Sequence, residues 1–161
     1  MQMVEEFRSV GEHRFIDEPP LVNEGFIPYL AWLERGERGE LQDERLVPWS
    51  AFWAVGQRAG ELVGVSSLRH KLSPWMAEYG GHIGYRVRPA LRGKGLGTQI
   101  LALTLQRAAA RGISRALIVC EPENVGSIKV ILKNGGIFER EVQLQGSVRR
   151  RYWVRTSDSD A

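Results

Sequence analysis

The sequence predicts an α/β (α+β) domain built on a mixed sheet, and three observations predict it. Two β-rich segments, residues 51–55 and 61–70, flank a turn at 57–60, the pattern of an antiparallel hairpin. Residues 116–120 (Ala-Leu-Ile-Val-Cys) are apolar without interruption, as in a strand buried on both faces. A third β-rich segment, 81–87, runs into a glycine-rich loop and then a helical pattern before that apolar run. Strand, helix and strand in this order form a right-handed crossover with a parallel pair at the centre of the sheet.

Each element follows in order. Residues 1–17 carry no clear period, although 12–16 has the composition of a short strand. Pro19 and Pro20 break the chain. Asn23 is placed to cap a helix over 24–34, where Phe26, Ile27, Leu30 and Leu33 recur at helical spacing. Residues 36–46 are charged and glycine-bearing, so they predict a loop or a short helical turn. After the hairpin and a loop containing Pro74, the strand 81–87 is ended by Pro89. A helix over 98–111 buries Ile100, Leu101, Leu105 and Ala108 and stops at Gly112. A second helix over 125–133 presents Ile128, Ile131 and Leu132 and is terminated by Gly135 and Gly136. Strands over 138–144 and 148–155 turn at Gly146 and Ser147, and 156–161 is a polar tail expected to fray.

The 161 residues suit one domain, 1–161, with one core. No apolar run approaches the ~20 residues of a membrane span, and the N-terminus lacks the apolar core of a secretory leader. Cys120 is the only cysteine, so neither an intrachain disulfide nor a zinc knuckle is available, no metal is expected, and a reducing cytoplasm is the simplest compartment. The net charge of +3 is unevenly spread. No acidic residue lies between Glu78 and Glu121, whereas Arg86, Arg88, Arg92, Lys94, Arg107, Arg111 and Arg115 do. That field suits a polyanionic ligand as well as it suits a solvated helix face. The bases are not interleaved with aromatic residues as a nucleic-acid surface would require, so neither nucleic acid nor membrane is an expected partner. A homodimer is left open.

A strand ending in a glycine-rich turn that opens a helix is an anion site, because the first helical N–H groups lack partners and carry partial positive charge. Two nucleotide readings fail here. In a mononucleotide loop Ser or Thr follows the lysine, but Gly95 follows Lys94. The dinucleotide fingerprint needs a last glycine where Thr98 stands and an acidic residue ~20 positions on, and none occurs before Glu121.

The run Arg92-Gly93-Lys94-Gly95-Leu96-Gly97 resembles the Arg/Gln-x-x-Gly-x-Gly/Ala signature of the GNAT superfamily of N-acetyltransferases. Asn124-Val125-Gly126-Ser127 and Lys133-Asn134-Gly135-Gly136 resemble that family's second motif at the right distance, so the likeness covers about residues 52–154. Val47-Pro48, Leu68-Arg69-His70 and Gly80-Gly81-His82-Ile83-Gly84-Tyr85 are similar to a bacterial acetyltransferase subgroup of the same family. The resemblance implies a mostly antiparallel mixed sheet with a central parallel pair flanked by helices. It implies acetyl-CoA as co-substrate, with the Val87 backbone pairing the pantetheine arm. The N–H groups from Gly93 through Leu96 to Thr98 would hold the pyrophosphate, with Arg92 and Lys94 adding charge. Asn124 would bond the pantetheine, and Ser127 would lie near the coenzyme's tail. Asn124 also reads as a plain helix cap.

Direct attack of an amine on a thioester requires a base for the ammonium, a donor for the carbonyl and a proton for the leaving thiolate. The tyrosine that many relatives place seven residues after the second-motif asparagine is Ile131 here, and the glutamate that some carry late on the preceding strand is Val119. Tyr85 and Tyr152 are the candidate substitutes for the acid, and His82, His70, Glu78 and Glu121 are the candidates for the base. His82 has a competing reading as a strand histidine bonded to the backbone, and Glu121 as a loop carboxylate balancing the basic field. Cys120 reads as core. The tryptophans read as packing, Trp75 excepted, because its loop lies beside the acceptor side. Arg149-Arg150-Arg151 reads as a partly solvated strand edge. The expectation is an acetyl-CoA-dependent N-acetyltransferase acting on a primary amine of a small molecule or peptide. The alternative is a non-catalytic acyl-CoA sensor, which the missing tyrosine and glutamate favour.

Overall fold

The computed structural model describes residues 2–12, 25–41, 47–56 and 60–156. Pro19-Pro20, the Asn23 cap, most of the 12–16 strand and all but the first residue of the 156–161 tail lie outside them; Glu12 itself is not in a strand, and Thr156, expected to fray, is instead buried, with its N–H on Ser114 O at 3.2 Å and its hydroxyl on Ile113 O at 2.5 Å. The first described element is a helix, α1 (Gln2–Ser9), in a stretch whose sequence has no clear period. Helix α2 (Phe26–Arg38) follows and extends four residues beyond the expected end. Its stop is Gly39, at φ 71°, whose N–H bonds Gly36 O at 3.1 Å while Glu40 N–H reaches Arg35 O at 2.9 Å. Gly36 stays inside the helix because a Cβ there would collide with the Trp49 ring. The inward stripe is therefore Tyr29 and Gly36, both buried, with Trp32 half-buried between them and its ring 5.1 Å from that of Trp49. Phe26 and Ile27, on the expected stripe, are exposed.

Strands β1 (Trp49–Val55) and β2 (Leu62–Arg69) form the expected hairpin, and β3 (Ile83–Val87) completes an antiparallel sheet in the order β1-β2-β3. Gly64 of β2 faces Val87 and lies under the next helix: a Cβ there would meet the Arg86 carbonyl and Ile100. That helix, α3 (Leu96–Ala110), buries Ile100, Leu101, Leu105 and Ala108 as its period requires. Its one buried hydroxyl is satisfied twice, by Ser66 Oγ and by the Ile100 carbonyl, each at 2.8 Å.

Strand β4 (Arg115–Cys120) is buried on both faces along 116–118. Helix α4 (Val125–Lys133) packs over it, and β5 (Ile137–Leu144) and β6 (Ser147–Arg155) turn at Gln145 and Gly146, both at positive φ. The second sheet has the order β4-β6-β5. Leu68, Ile83, Leu101, Ile118, Cys120, Ile131, Tyr152 and Val154 form one core under α3 and α4.

Two expectations are corrected. First, the parallel pair does not form: every ladder among the described residues is antiparallel, and β3 and β4 meet only at the isolated antiparallel bridge between Gly81 and Ile118. The physical cause is one turn and one contact between segments distant in sequence. Gly81, at φ 69°, turns the chain, and the Leu117 N–H goes to His82 Nδ1 at 2.9 Å instead of to a backbone carbonyl. Second, β6 is central and not an edge. Arg151 is only 5% exposed, with its Nε on Glu139 at 2.6 Å. Its Nη1 bonds the carbonyls of Ala77 and Glu78 in the π-helical turn Met76–Gly80. Arg69 reaches the Gly81 carbonyl at 2.9 Å from the other sheet. Two guanidinium groups thus pin one turn and tie the sheets together.

Candidate active site

The glycine-rich loop sits where β3 ends. A short 3₁₀ turn (Pro89–Leu91) leads into it, and Gly93 and Gly95 both take the left-handed conformation, at φ 79° and 78°. Nothing lies within 4 Å of a Cβ built on either, so both face open space. Gly95 is the N-cap of α3 and brings no side-chain cap. The helix therefore presents its first N–H groups and its positive dipole end to that space, which is a cradle fitted to a phosphate. Gly97, the second residue of α3, is buried and close-packed: a Cβ there would press on Val130 of α4 at 3.2 Å and Val87 at 3.4 Å.

The edge of β3 that faces β4 leads into this cradle. Arg88 N–H bonds Val63 O and Arg69 N–H bonds His82 O, so the even-numbered residues of this stretch pair with β2. The backbone groups of Ile83, Tyr85 and Val87 therefore point toward β4, where no ladder forms among the described residues. Arg92 folds back onto that edge, with its Nε 3.2 Å from Val87 O.

Beyond the edge stands α4, capped by Asn124, whose Oδ1 accepts the Ser127 N–H at 2.9 Å. Such a cap contributes about 1 kcal/mol, and it leaves the Asn124 amide N–H₂ unused by the cap. Ser127 Oγ lies 2.8 Å from the Tyr85 hydroxyl. Burial, opposed by the Ser127 hydrogen bond, pushes the Tyr85 hydroxyl up to about 12 and the neighbouring Cys120 thiol up to about 11. Tyr85 thus stays a protonated donor at neutral pH, and Cys120 an inert thiol. Ile131 is fully buried in the core, against the backbone of Gly136, where a Cβ would strike it.

The remaining candidates stand apart from this group. Glu121 ends β4, more than half exposed, with Arg149 Nη2 at 3.1 Å. Glu78 is held by Arg140 at 2.7 Å. His70 Nε2 meets Ser50 Oγ at 2.8 Å within a cluster that includes Glu37 and Arg111. Tyr152 is buried against Phe138. Trp75 pairs with Tyr79 on the π-helical turn. Asn134 had been read only as part of a motif. Its Nδ2 donates to Thr98 O at 3.3 Å and Val130 O at 2.9 Å, tying the end of α4 to the start of α3.

His82 lies on the opposite face of the chain from Tyr85 by strand alternation. Its Nδ1 holds the Leu117 N–H, so its lone pair is engaged. Burial and then the Arg69 charge lower its pKa below the ordinary histidine value. The unfolded chain therefore binds the proton more readily, and stability is present above about pH 6.5 and lost as pH falls below it. Melting temperature should be flat from about pH 8 to 7 and decline toward about pH 5.5. His82→Asn, whose Oδ1 can take the Leu117 N–H but does not titrate, should show a shallower decline. His70, lowered by burial and Arg111, supplies the slope that remains. An unchanged slope in the Asn variant would refute the account of His82.

Comparison with known proteins bears on this geometry. The family model described as an acetyltransferase (GNAT) domain matches residues 19–137. Three solved structures are similar in fold. RimL, the ribosomal L7/L12 alpha-N-protein acetyltransferase in complex with coenzyme A, is 21% identical over 98% of this chain and 87% of its own, with a TM-score of 0.67. The ribosomal-protein-S5-alanine acetyltransferase from Vibrio fischeri is 19% identical over 86% and 74%, with a TM-score of 0.65. The microcin C7 self-immunity acetyltransferase MccE, in complex with acetyl-CoA and AMP, is 20% identical over 96% and 87%, with a TM-score of 0.62. Among curated proteins none matches the sequence. No helix among the described residues is long and apolar enough to cross a membrane.

Proposed function

Because the chain belongs to the GNAT acetyltransferase family, we propose that it moves the acetyl group of acetyl-CoA to a primary amine by direct attack. The observation that carries the reading is the unladdered edge of β3, which runs from Ile83 to Val87 straight into the cradle at Gly93 and Gly95. An extended pantetheine arm suits that edge as an added strand would. The N–H groups from Gly93 to Thr98 suit the pyrophosphate, with Arg92 and Lys94 supplying charge. The Asn124 amide N–H₂ is available to the pantetheine.

An N–H of the same edge, at Tyr85 or Val87, is placed to polarise a thioester carbonyl without any side chain. Tyr85 and Ser127 take the role of the missing tyrosine. With the tyrosine as donor, one of the two orientations that the 2.8 Å contact allows, the serine proton passes to the departing thiolate and the Tyr85 proton moves to Ser127 Oγ. Glu121, just past β4 and more than half exposed, is assigned to the proton of the incoming amine, a role that requires it to leave Arg149. His82 is assigned a positioning role, because its Nδ1 already holds the Leu117 N–H. RimL and the Vibrio fischeri protein are named for acetylating ribosomal proteins and MccE for self-immunity. A peptide N-terminus and a small amine are therefore both acceptors to test.

CoA release with a panel of peptide and small-molecule amines tests the reading. Ser127→Ala should lower kcat about 100-fold, and Tyr85→Phe by roughly tenfold, because serine keeps its own hydroxyl. Neither should change the acetyl-CoA KM more than about threefold. Thermal stabilisation by acetyl-CoA without turnover on any amine would instead favour an acyl-CoA sensor, the reading that Ile131 and Val119 support. Absence of any stabilisation would refute both, since ligand at ~100 times its Kd adds ~2.7 kcal/mol.

A further inference from the structure

The arginines around the cradle already have anionic partners, which come from the N-terminal helix and the residues just after it. Glu6 of α1 grips Arg88 through three hydrogen bonds, with Nε to its two carboxylate oxygens at 2.8 and 2.9 Å and Nη2 to Oε1 at 2.6 Å. Three residues after α1 ends, Glu12 Oε1 lies 2.8 Å from Arg92 Nη2, and its other oxygen lies 4.0 Å from Arg86. The helix is seated by Phe7, fully buried, with the Arg92 guanidinium over its ring at 6.0 Å. The Glu12 N–H closes onto Phe7 O at 3.0 Å, so the carboxylate is held in place by the same anchor.

Arg92 is the loop's first residue and the side chain assigned to the coenzyme's phosphates. Here its Nη2 meets a carboxylate and its Nε covers Val87 O, a carbonyl on the edge assigned to the pantetheine. The Nε/Nη2 edge of the guanidinium, which can grip a phosphate through two parallel bonds, is thereby occupied, and a pyrophosphate takes that edge only by displacing these contacts. A carboxylate and a phosphate oxygen are alternative acceptors for the same planar donor.

We propose that α1 with Glu12 is an internal competitor for the coenzyme's phosphate site. In this arrangement Glu12 holds Arg92 back from the cradle, and acetyl-CoA binds by displacing that carboxylate. The proposal rests on the acetyl-CoA reading of the cradle. It makes the affinity for the donor depend on the N-terminal segment, which lies outside both sequence motifs.

Isothermal titration of the full chain and its Glu12→Gln variant tests it, with acetyl-CoA and with S-acetylpantetheine, which lacks every phosphate. Glu12→Gln should bind acetyl-CoA roughly two- to fivefold more tightly, the range expected for freeing one partly exposed ion pair. S-acetylpantetheine should bind both proteins alike, and the gain should shrink in about 1 M salt, where the Debye length falls to ~3 Å. Glu6→Gln serves as a second variant, and melting temperature checks that α1 remains seated in each. Equal or weaker acetyl-CoA binding by Glu12→Gln, or an equal gain with S-acetylpantetheine, overturns the competitor while leaving the coenzyme reading intact. No binding of acetyl-CoA by any of the proteins overturns the coenzyme reading and the competitor with it.

Discussion

Gly95→Asp is expected to remove acetyl-CoA binding while leaving the fold standing. Gly95 sits at φ 78°, ψ −1° with open space around it. The left-handed conformation costs a side chain roughly 1–2 kcal/mol, and aspartate tolerates it better than most residues. An aspartate at the head of α3 also supplies the missing cap and suits the dipole, which contributes about 0.5–2 kcal/mol. The two effects nearly cancel, so the melting temperature should shift by no more than about 4 °C. Binding has no such compensation. The new carboxylate takes the N–H groups meant for the pyrophosphate and repels it, and like charges ~4 Å apart near a surface cost about 4 kcal/mol. Acetyl-CoA affinity should therefore fall at least 100-fold by titration calorimetry, even allowing for screening by salt. A variant that melts normally and binds acetyl-CoA within tenfold of the parent would remove the cradle from the coenzyme site.

The parts that could be read in advance were those whose cause is local. The period of Ile100, Leu101, Leu105 and Ala108 fixes α3 whatever surrounds it, and the apolar run at 116–118 announces a strand covered on both faces. The cradle was legible because its glycines and the helix that follows are contiguous in sequence. What stayed hidden depends on contacts between distant segments. Arg151 lies between β4 and β5 and holds a turn 74 residues away, and nothing in three consecutive arginines says which one is buried. The splay of β3 from β4 depends on a histidine ring taking one strand's N–H, a contact across 35 residues.

The candidate site divides the same way. Ile131 showed in the sequence that the usual acid is absent, and the structure gives the reason it cannot be restored simply: the position faces the core, beneath Gly136. In the sequence Tyr85 and Ser127 read separately, one as a candidate substitute for the acid and one as a neighbour of the coenzyme's tail. Only folding brings their hydroxyls to 2.8 Å. The acceptor is not written in these motifs, which bear on the acyl donor alone.

The Arg151 ion pair carries the largest expected change in stability. Arg151→Ala should destabilise the chain by about 2–3 kcal/mol, the scale of losing a buried guanidinium's charge-assisted bonds to two turn carbonyls and a partly exposed carboxylate, and lower the melting temperature by roughly 5–10 °C. Its removal strands the Glu139 carboxylate, which the guanidinium holds below the ordinary carboxylate range, and two carbonyls of the π-helical turn. Arg151→Lys keeps the charge but not the fork, so it should recover only part of the loss. Adding Glu139→Gln to Arg151→Ala should cost less than the two single losses combined, because the stranded carboxylate is then gone. An Arg151→Ala protein melting within about 2 °C of the parent would show that the turn does not depend on this clamp. The turn that Arg151 and Arg69 pin from opposite sheets leads directly into Gly81, where the two sheets touch. The turn lies apart from the cradle, so the variant's affinity for acetyl-CoA should stay within about threefold of the parent's.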